Sequence, residues 1–507
     1  MMGYKLRWPL LILLWIGMKD IRAIEISGTG IFFANETITL EKSTDFISQY
    51  RQVLTRTSVD EKGNFDLKAN EALTGDYVYY IRSGRFEGVF YGNAQGRYTV
   101  NLVYSNGDAA QRFDKIEFPV QLIQGTDHLH AAVVRYFNQY DRFLNAHYYD
   151  YALQEFSGSE AQRVQLLKHS KNKPDLFPSD LNNRDSVTTS NFREMLRNFK
   201  DTVLNEEDRQ LPFLVMFRDY DVARMEMVAG KSKTVVVQTL FADSTLHMDH
   251  PAFVQCAEML FSSLFTQTPT SYFLSAQKAL NSGQLDSIDF HFARFPIIAS
   301  RPHLEMACLI AWRDMLAKNQ MPLALHDALL QQLISKSKIP AVQMGANQLI
   351  AQAHQCKKNA RATDFTCLDL KGKSHQAKEW EGKLTYVFFY TTWNGYAMKQ
   401  LLATDNMANE LVKDCNIVAI CMDDKEETWR KAIQGKKWKC QMRYAGNIPE
   451  LREQYCLSSL PMAILITPDG KYLQDFTRLP EAGVGAQIEK WLMAHPGQVG
   501  EGTWKEN

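Results

Sequence analysis

The run Leu384-Thr385-Tyr386-Val387-Phe388-Phe389-Tyr390 leaves a folded chain little choice. It is continuously apolar, aromatic or β-branched and of strand length, the pattern of a strand covered on both faces. After Thr391-Thr392-Trp393 the pattern turns helical, with Met398-Lys399-Gln400-Leu401-Leu402. The corner between the two reads Trp393-Asn394-Gly395-Tyr396-Ala397. Asn is among the best N-cap residues, because its side-chain oxygen accepts from a free backbone N–H. Asn394 therefore marks the start of the helix.

Flanking segments fit the same α/β unit. Asp364-Phe365-Thr366-Cys367-Leu368-Asp369-Leu370 alternates in part like a half-buried strand and ends in the turn signal Lys371-Gly372-Lys373. Asn416-Ile417-Val418-Ala419-Ile420-Cys421-Met422 is a second buried strand. Leu460-Pro461-Met462-Ala463-Ile464-Leu465-Ile466 leads into the turn Thr467-Pro468-Asp469-Gly470.

With Asp364-Phe365, Gly382-Lys383, Trp393, Leu460-Pro461 and Pro468-Asp469-Gly470 in this order, residues 360–497 resemble the exported bacterial thioredoxin-like proteins of the TlpA/ResA type. Those are thiol-disulfide oxidoreductases. The resemblance implies that the corner should carry Trp-Cys-x-x-Cys, and here Asn394 and Ala397 replace both sulfurs. Thiol exchange needs a thiolate and a resolving thiol, which an amide and a methyl group cannot supply. The resemblance also implies that Leu460-Pro461 is a cis pair facing Asn394. The backbone of Leu460 would then be free to pair with an extended peptide by strand addition.

The rest of the 507-residue chain reads as two further parts. Residues 1–23 look like a secretory signal, with Lys5 and Arg7 before an apolar run, 8–18, too short for a comfortable membrane span. Ala23 would end it, although Lys19, Asp20 and Arg22 charge the junction; an uncleaved anchor is the alternative. No cysteine lies near this junction, so no lipid anchor is expected. Residues 24–120 alternate short strands with Gly- and Asn-containing turns, as in Tyr77-Val78-Tyr79-Tyr80-Ile81, and predict an all-β sandwich. Residues 126–357 read helical, with apolar stripes at 130–145 and helix candidates at 191–204, 251–265, 304–317 and 323–334. Residues 171–190 read as a loop. The expected fold is thus multidomain: an N-terminal β-sandwich, a helical middle and a C-terminal α/β thioredoxin-like domain.

Eight cysteines are present and none forms Cys-x-x-Cys. Cys415 and Cys421 flank one strand, which holds them roughly 20 Å apart, beyond disulfide reach. Cys440 follows Lys436, Lys437 and Lys439, and positive charge lowers a thiol's pKa. Cys456 precedes the Pro461 loop and is placed to approach the Asn394 corner. Either is a candidate reactive thiol, or the two pair. His247-Met248-Asp249-His250 and His128-Leu129-His130 lack the three or four converging ligands of a zinc site, so no metal is expected. Phosphate-binding glycine loops, Gly-x-Ser-x-Gly elbows and His-Glu-x-x-His helices are missing, and no cofactor is implied.

Lys plus Arg and Asp plus Glu both number 57, which argues against a nucleic-acid partner. The leading reading is a non-redox module, periplasmic or associated with the cell envelope, that binds a polypeptide or docks a protein partner. A divergent thiol-disulfide oxidoreductase or isomerase working through Cys440 or Cys456 is the alternative. A structural role in envelope assembly, with the sandwich as binding part, is a third. Export has a direct check. Protein recovered from the envelope should show an intact mass for a chain beginning close to Ile24, whereas a full-length product in the soluble cytoplasmic fraction would refute it.

Overall fold

A computed structural model describes residues 24–69, 75–104, 116–155, 189–266, 270–292, 295–411, 413–423, 425–446, 449–457, 459–475 and 477–496. The expected signal, 1–23, and most of the expected loop at 171–190 lie outside these residues.

The N-terminal strands are β1 (Ile24–Thr29), β2 (Thr37–Asp45), β3 (Tyr50–Ser58), β4 (Asn64–Ala69), β5 (Asp76–Ser83), β6 (Phe86–Asn93), β7 (Arg97–Leu102), β8 (Ile116–Glu117) and β9 (Val120–Gly125). They form two sheets, ordered β4-β1-β7-β9 and β3-β2-β5-β6-β8. Strict alternation in β4 turns Phe65, Leu67 and Ala69 inward. Across the sandwich they join a core with Ile38, Leu40, Tyr79, Ile81 and Phe90 of the second sheet. The sandwich runs five residues past the expected limit of 120, because β9 pairs with β7 along Leu102↔Val120 to Tyr98↔Gly125. Both β9 and the largely exposed β3 lack a clear apolar alternation, so sequence reading passes over them.

The second sheet is covered twice. In β5, Tyr79 and Ile81 face the sandwich, while Val78 and Tyr80 join the core of the helical middle. On β6, Tyr91 packs its ring against Phe217, 5.8 Å between centroids. The helices there are Leu129–Glu155, Thr189–Thr202, Pro212–Val228, Lys233–Leu240, Pro251–Phe261, Thr270–Asn281, Leu285–Phe292, Arg301–Ala317, Leu323–Lys336 and Pro340–His354. The candidate at 251–265 stops at Phe261. None of the described helices is long and apolar enough to cross a membrane.

The turn between β2 and β3 enters this helical core. Asp45 caps it by accepting from the amides of Ile47 and Ser48, at 2.8 and 3.1 Å. Helical residues hold it from outside. Met248 O accepts from Phe46 N at 2.8 Å, Arg313 Nη1 donates to Ile47 O at 2.9 Å, and Gln352 Nε2 donates to Ser48 O at 2.5 Å.

The C-terminal domain contributes β10 (Thr366–Leu368), β11 (Ser374–Gln376), β12 (Thr385–Tyr390), β13 (Asn416–Cys421), β14 (Gln441–Tyr444) and β15 (Met462–Ile466). The sheet order is β11-β10-β14-β13-β12-β15, with β12, β13 and β14 parallel and β15 antiparallel to β12. The central β12 is fully buried, which is what its unbroken apolar run requires. Tyr386, Phe388 and Tyr390 pack on one face, and Val387 and Phe389 on the other. Cys415 and Cys421 both pack on the first of these faces, at opposite ends of β13.

A buried ion cluster joins the second sheet to this domain. Arg82 on β5, 4% exposed, donates through Nη1 to both Glu41 oxygens, at 3.0 and 2.9 Å. Its Nε lies 3.5 Å from Glu87, the residue opposite it on β6, and its Nη2 3.5 Å from Glu453 of the C-terminal domain. Arg51 binds Glu87 at 2.5 Å and lies 3.4 Å over the Tyr80 ring. Removing one member of a buried charge set strands its partners in low dielectric. Arg82→Ala should therefore lower unfolding free energy by about 3–5 kcal/mol in denaturant titrations, while Lys68→Ala, on an exposed pair, should leave it nearly unchanged.

Candidate functional site

Three elements build the corner. β12 delivers Thr391 and Thr392 to the top of the sheet, the helix Gly395–Leu411 starts immediately afterwards, and the loop before β15 comes alongside. Asp423, buried at the end of β13, fixes the approach: its Oδ1 accepts from Thr392 N at 2.9 Å, and its other oxygen accepts from the Thr392 hydroxyl. Sequence reading did not single out Asp423, because its partner Thr392 lies 31 residues away, past the end of β12.

Asn394 uses both ends of its amide. Oδ1 accepts from the backbone N–H of Tyr396 at 3.0 Å and of Ala397 at 3.1 Å, the N-cap geometry expected. Nδ2 donates to the carbonyl of Leu460 at 3.2 Å. The Leu460-Pro461 bond is cis and stands beside the corner, as the resemblance implies. The amides that would hold a thiolate at this helix start are thus occupied by a neutral oxygen. Ala397, where the second sulfur would stand, is fully buried in the core.

One expectation is narrowed here: the Leu460 carbonyl already accepts from Asn394 through one of its two lone pairs, so an incoming strand would have to share it. What the corner does expose is side chains: Trp393 is 40% and Tyr396 53% exposed.

Cys440 is also corrected. It is buried, and burial together with the Asp405 carboxylate pushes its thiol pKa up. The lysine tract spends itself on Asp405 instead. Lys436 Nζ sits 3.0 Å from that carboxylate, which also accepts from Lys439 N at 2.6 Å and Cys440 N at 3.1 Å. Burial works against ionisation of Asp405, yet these contacts hold its carboxyl below the usual value.

Cys456 and Cys440 do not pair. Cys440 packs on the β12 face that carries Tyr386, whereas Cys456 meets Cys356, which packs on the opposite face. Cys356 was missed because it precedes the expected domain start at 360, where nothing local distinguishes it. Two histidines of these pairs are buried rather than solvated loop residues. Nδ1 of His250 accepts from Phe253 N at 3.4 Å, its Nε2 contacts Phe213 O at 3.0 Å, and burial lowers its pKa to about 3. His130 is buried against Val120 O at 2.6 Å. Among the described residues no group of three or more His, Cys, Asp or Glu is placed to hold a metal ion.

Residues 359–496 match the AhpC/TSA family. Similar solved structures include the thioredoxin domain of a thiol-disulfide oxidoreductase from Bacteroides vulgatus, 26% identical over 26% of this chain and 96% of that one, TM-score 0.24. A thiol:disulfide interchange protein from Bacteroides sp. is 25% identical over 27% and 90%, TM-score 0.24. A thioredoxin-like protein from Bacteroides caccae is 13% identical over 48% and 93%, TM-score 0.29. No curated protein matches the chain. The C-terminal domain is thioredoxin-like.

The double use of the Asn394 amide separates two contributions to stability. Asn394→Ala should lose the cap, about 1 kcal/mol, and the bond to Leu460, about another 1 kcal/mol. Asn394→Ser restores a capping oxygen but cannot reach as Nδ2 does, so it should recover only the first part. Equal midpoints for the two variants in urea unfolding would show that the cap contributes nothing.

Proposed function

We propose that this is an exported protein whose thioredoxin-like domain docks a polypeptide without redox chemistry at the corner. The observation that carries the reading is the saturated Asn394 amide beside two exposed aromatic side chains. Both of its polar ends are committed, to the helix start and to Leu460, so the corner offers neither nucleophile nor proton carrier. Trp393 and Tyr396 remain exposed beside it. Aromatic residues of this kind supply large contact area with a polar tip and few rotamers to freeze, and they dominate binding hot spots. Because the Leu460 carbonyl already has one partner, the reading places recognition first on these side chains. Export is supported by Lys5, Arg7 and the apolar run at 8–18.

Two measurements test the reading. The parent chain should reduce insulin no faster than dithiothreitol alone, while joint Asn394→Cys and Ala397→Cys substitution should add turnover by restoring both sulfurs. Turnover in the parent chain would overturn the non-redox reading. For docking, the probe is fluorescently labelled, reduced and carboxymethylated α-lactalbumin, a permanently unfolded polypeptide. Trp393→Ala and Tyr396→Ala should each weaken its binding at least about tenfold, on the order of 1.4 kcal/mol, with the thermal midpoint nearly unchanged. Unaltered binding in both variants would remove the corner as docking surface.

A further inference from the structure

The helical middle ends at His354, and the chain enters the C-terminal domain through a sharp reversal at Cys356. Cys356 has φ 57°, in the left-handed region that non-glycine residues rarely adopt. From there 359–362 runs along the domain's edge, with Asn359 N donating to Tyr472 O at 2.8 Å and Ala362 N to Gly470 O at 2.8 Å. A second left-handed cysteine, Cys456 at φ 51°, ends the short helix Pro449–Gln454.

The two thiols meet at this reversal, side chain to side chain. Neighbouring bonds hold the segments in register: Gln355 Nε2 donates to Glu453 O at 2.6 Å, and Cys356 Sγ to Gln454 O at 3.2 Å. Cys456 is exposed and Cys356 half-buried, so an external reagent reaches the pair. The other six cysteines are buried. Below the pair lies the hydroxyl of Tyr472, buried and without a conventional hydrogen-bond partner, facing the Cys356 sulfur.

We propose that Cys356 and Cys456 are a disulfide-forming pair, oxidised by exchange with a small-molecule disulfide, that locks the helical middle to the thioredoxin-like domain. The chemistry balances with a disulfide R–S–S–R as oxidant. The Cys356 thiolate attacks one sulfur and expels R–S⁻, giving Cys356–S–S–R. The Cys456 thiolate then attacks the Cys356 sulfur and expels the second R–S⁻. The two protons lost by the cysteines end on the two departing thiolates. One external disulfide becomes two thiols, and two protein thiols become one disulfide. Donation from Cys456 lowers the Cys356 pKa against the opposing effect of burial, with the Tyr472 hydroxyl and Lys357 adding to it, which suits Cys356 to the first attack.

The position gives the bond a mechanical role. Gln355, Glu453 and Gln454 line a cleft of about 1030 Å³ between the three parts of the protein, with Arg82 and Arg313 on its other walls. Closing Cys356 onto Cys456 fixes one wall to another at the reversal. Neither cysteine is among the corner residues Trp393 to Ala397, and oxidation of the pair is expected to proceed independently of docking there.

The test uses the full chain incubated with glutathione disulfide. Intact mass should fall by two hydrogen atoms, two of the eight thiols should become unreactive, and peptide mapping should join Cys356 to Cys456. Cys456→Ser should stop at glutathione attached to Cys356. The oxidised parent chain should unfold at a higher temperature than the reduced one, a difference abolished by dithiothreitol and missing in Cys356→Ser. A parent chain that keeps all eight thiols, retains glutathione on either cysteine, or cross-links another pair would overturn the proposal. Trp393→Ala should form the bond as readily as the parent; failure there would tie the two sites together and overturn their independence.

Discussion

A strand buried on both faces must find two apolar partners, and this architecture follows from meeting that demand twice. β5 places alternate side chains into the sandwich and into the helical core. β12 does the same between the two halves of the C-terminal domain. Burying such surface at roughly 25 cal/mol per Å² is the dominant favourable term, and it joins the sandwich to the helical middle through two cores that share one sheet. Where the outer face of β5 carries charge, the cost of desolvation has to be offset locally. Arg82 meets it with Glu41 and Glu87 on adjacent strands, then extends toward Glu453.

What was legible in the sequence follows the range of the forces involved. β12 announced itself because every residue from Thr385 to Tyr390 is buried, and the Asn394 cap did so because capping is settled within three residues. The second bond of the same amide reaches a carbonyl 66 positions away, so a local reading could not see that Leu460 O already has one partner. Cys440 shows the same limit. The neighbouring lysines were visible, but the carboxylate that pairs with Lys436 sits on the helix Gly395–Leu411. Short strands such as β11 and β14 carry too few residues to declare a period. Cys356 was invisible because a left-handed reversal in a connecting segment has no compositional signature when the residue is not glycine or asparagine.

Asn394 caps the helix of a strand-to-helix corner with a neutral amide. A thiolate there would draw on the helix-start amides and leave the adjacent carbonyl open. The amide satisfies both sides internally, so the corner becomes a self-contained joint between the helix and the loop before β15. Its outward face carries the exposed side chains of Trp393 and Tyr396.

The turn between β2 and β3 bears on how such a protein can diversify. Its backbone is gripped by Met248, Arg313 and Gln352, residues from distant stretches of the helical middle. Grafting a foreign sandwich onto these helices would leave those donors and acceptors facing a vacant socket, with buried polar groups unpaired. Exchanging the sandwich alone should therefore cost stability at this socket, and the 355–362 crossing is no freer, since its backbone hydrogen bonds are joined by the side-chain contacts of Gln355 and Cys356.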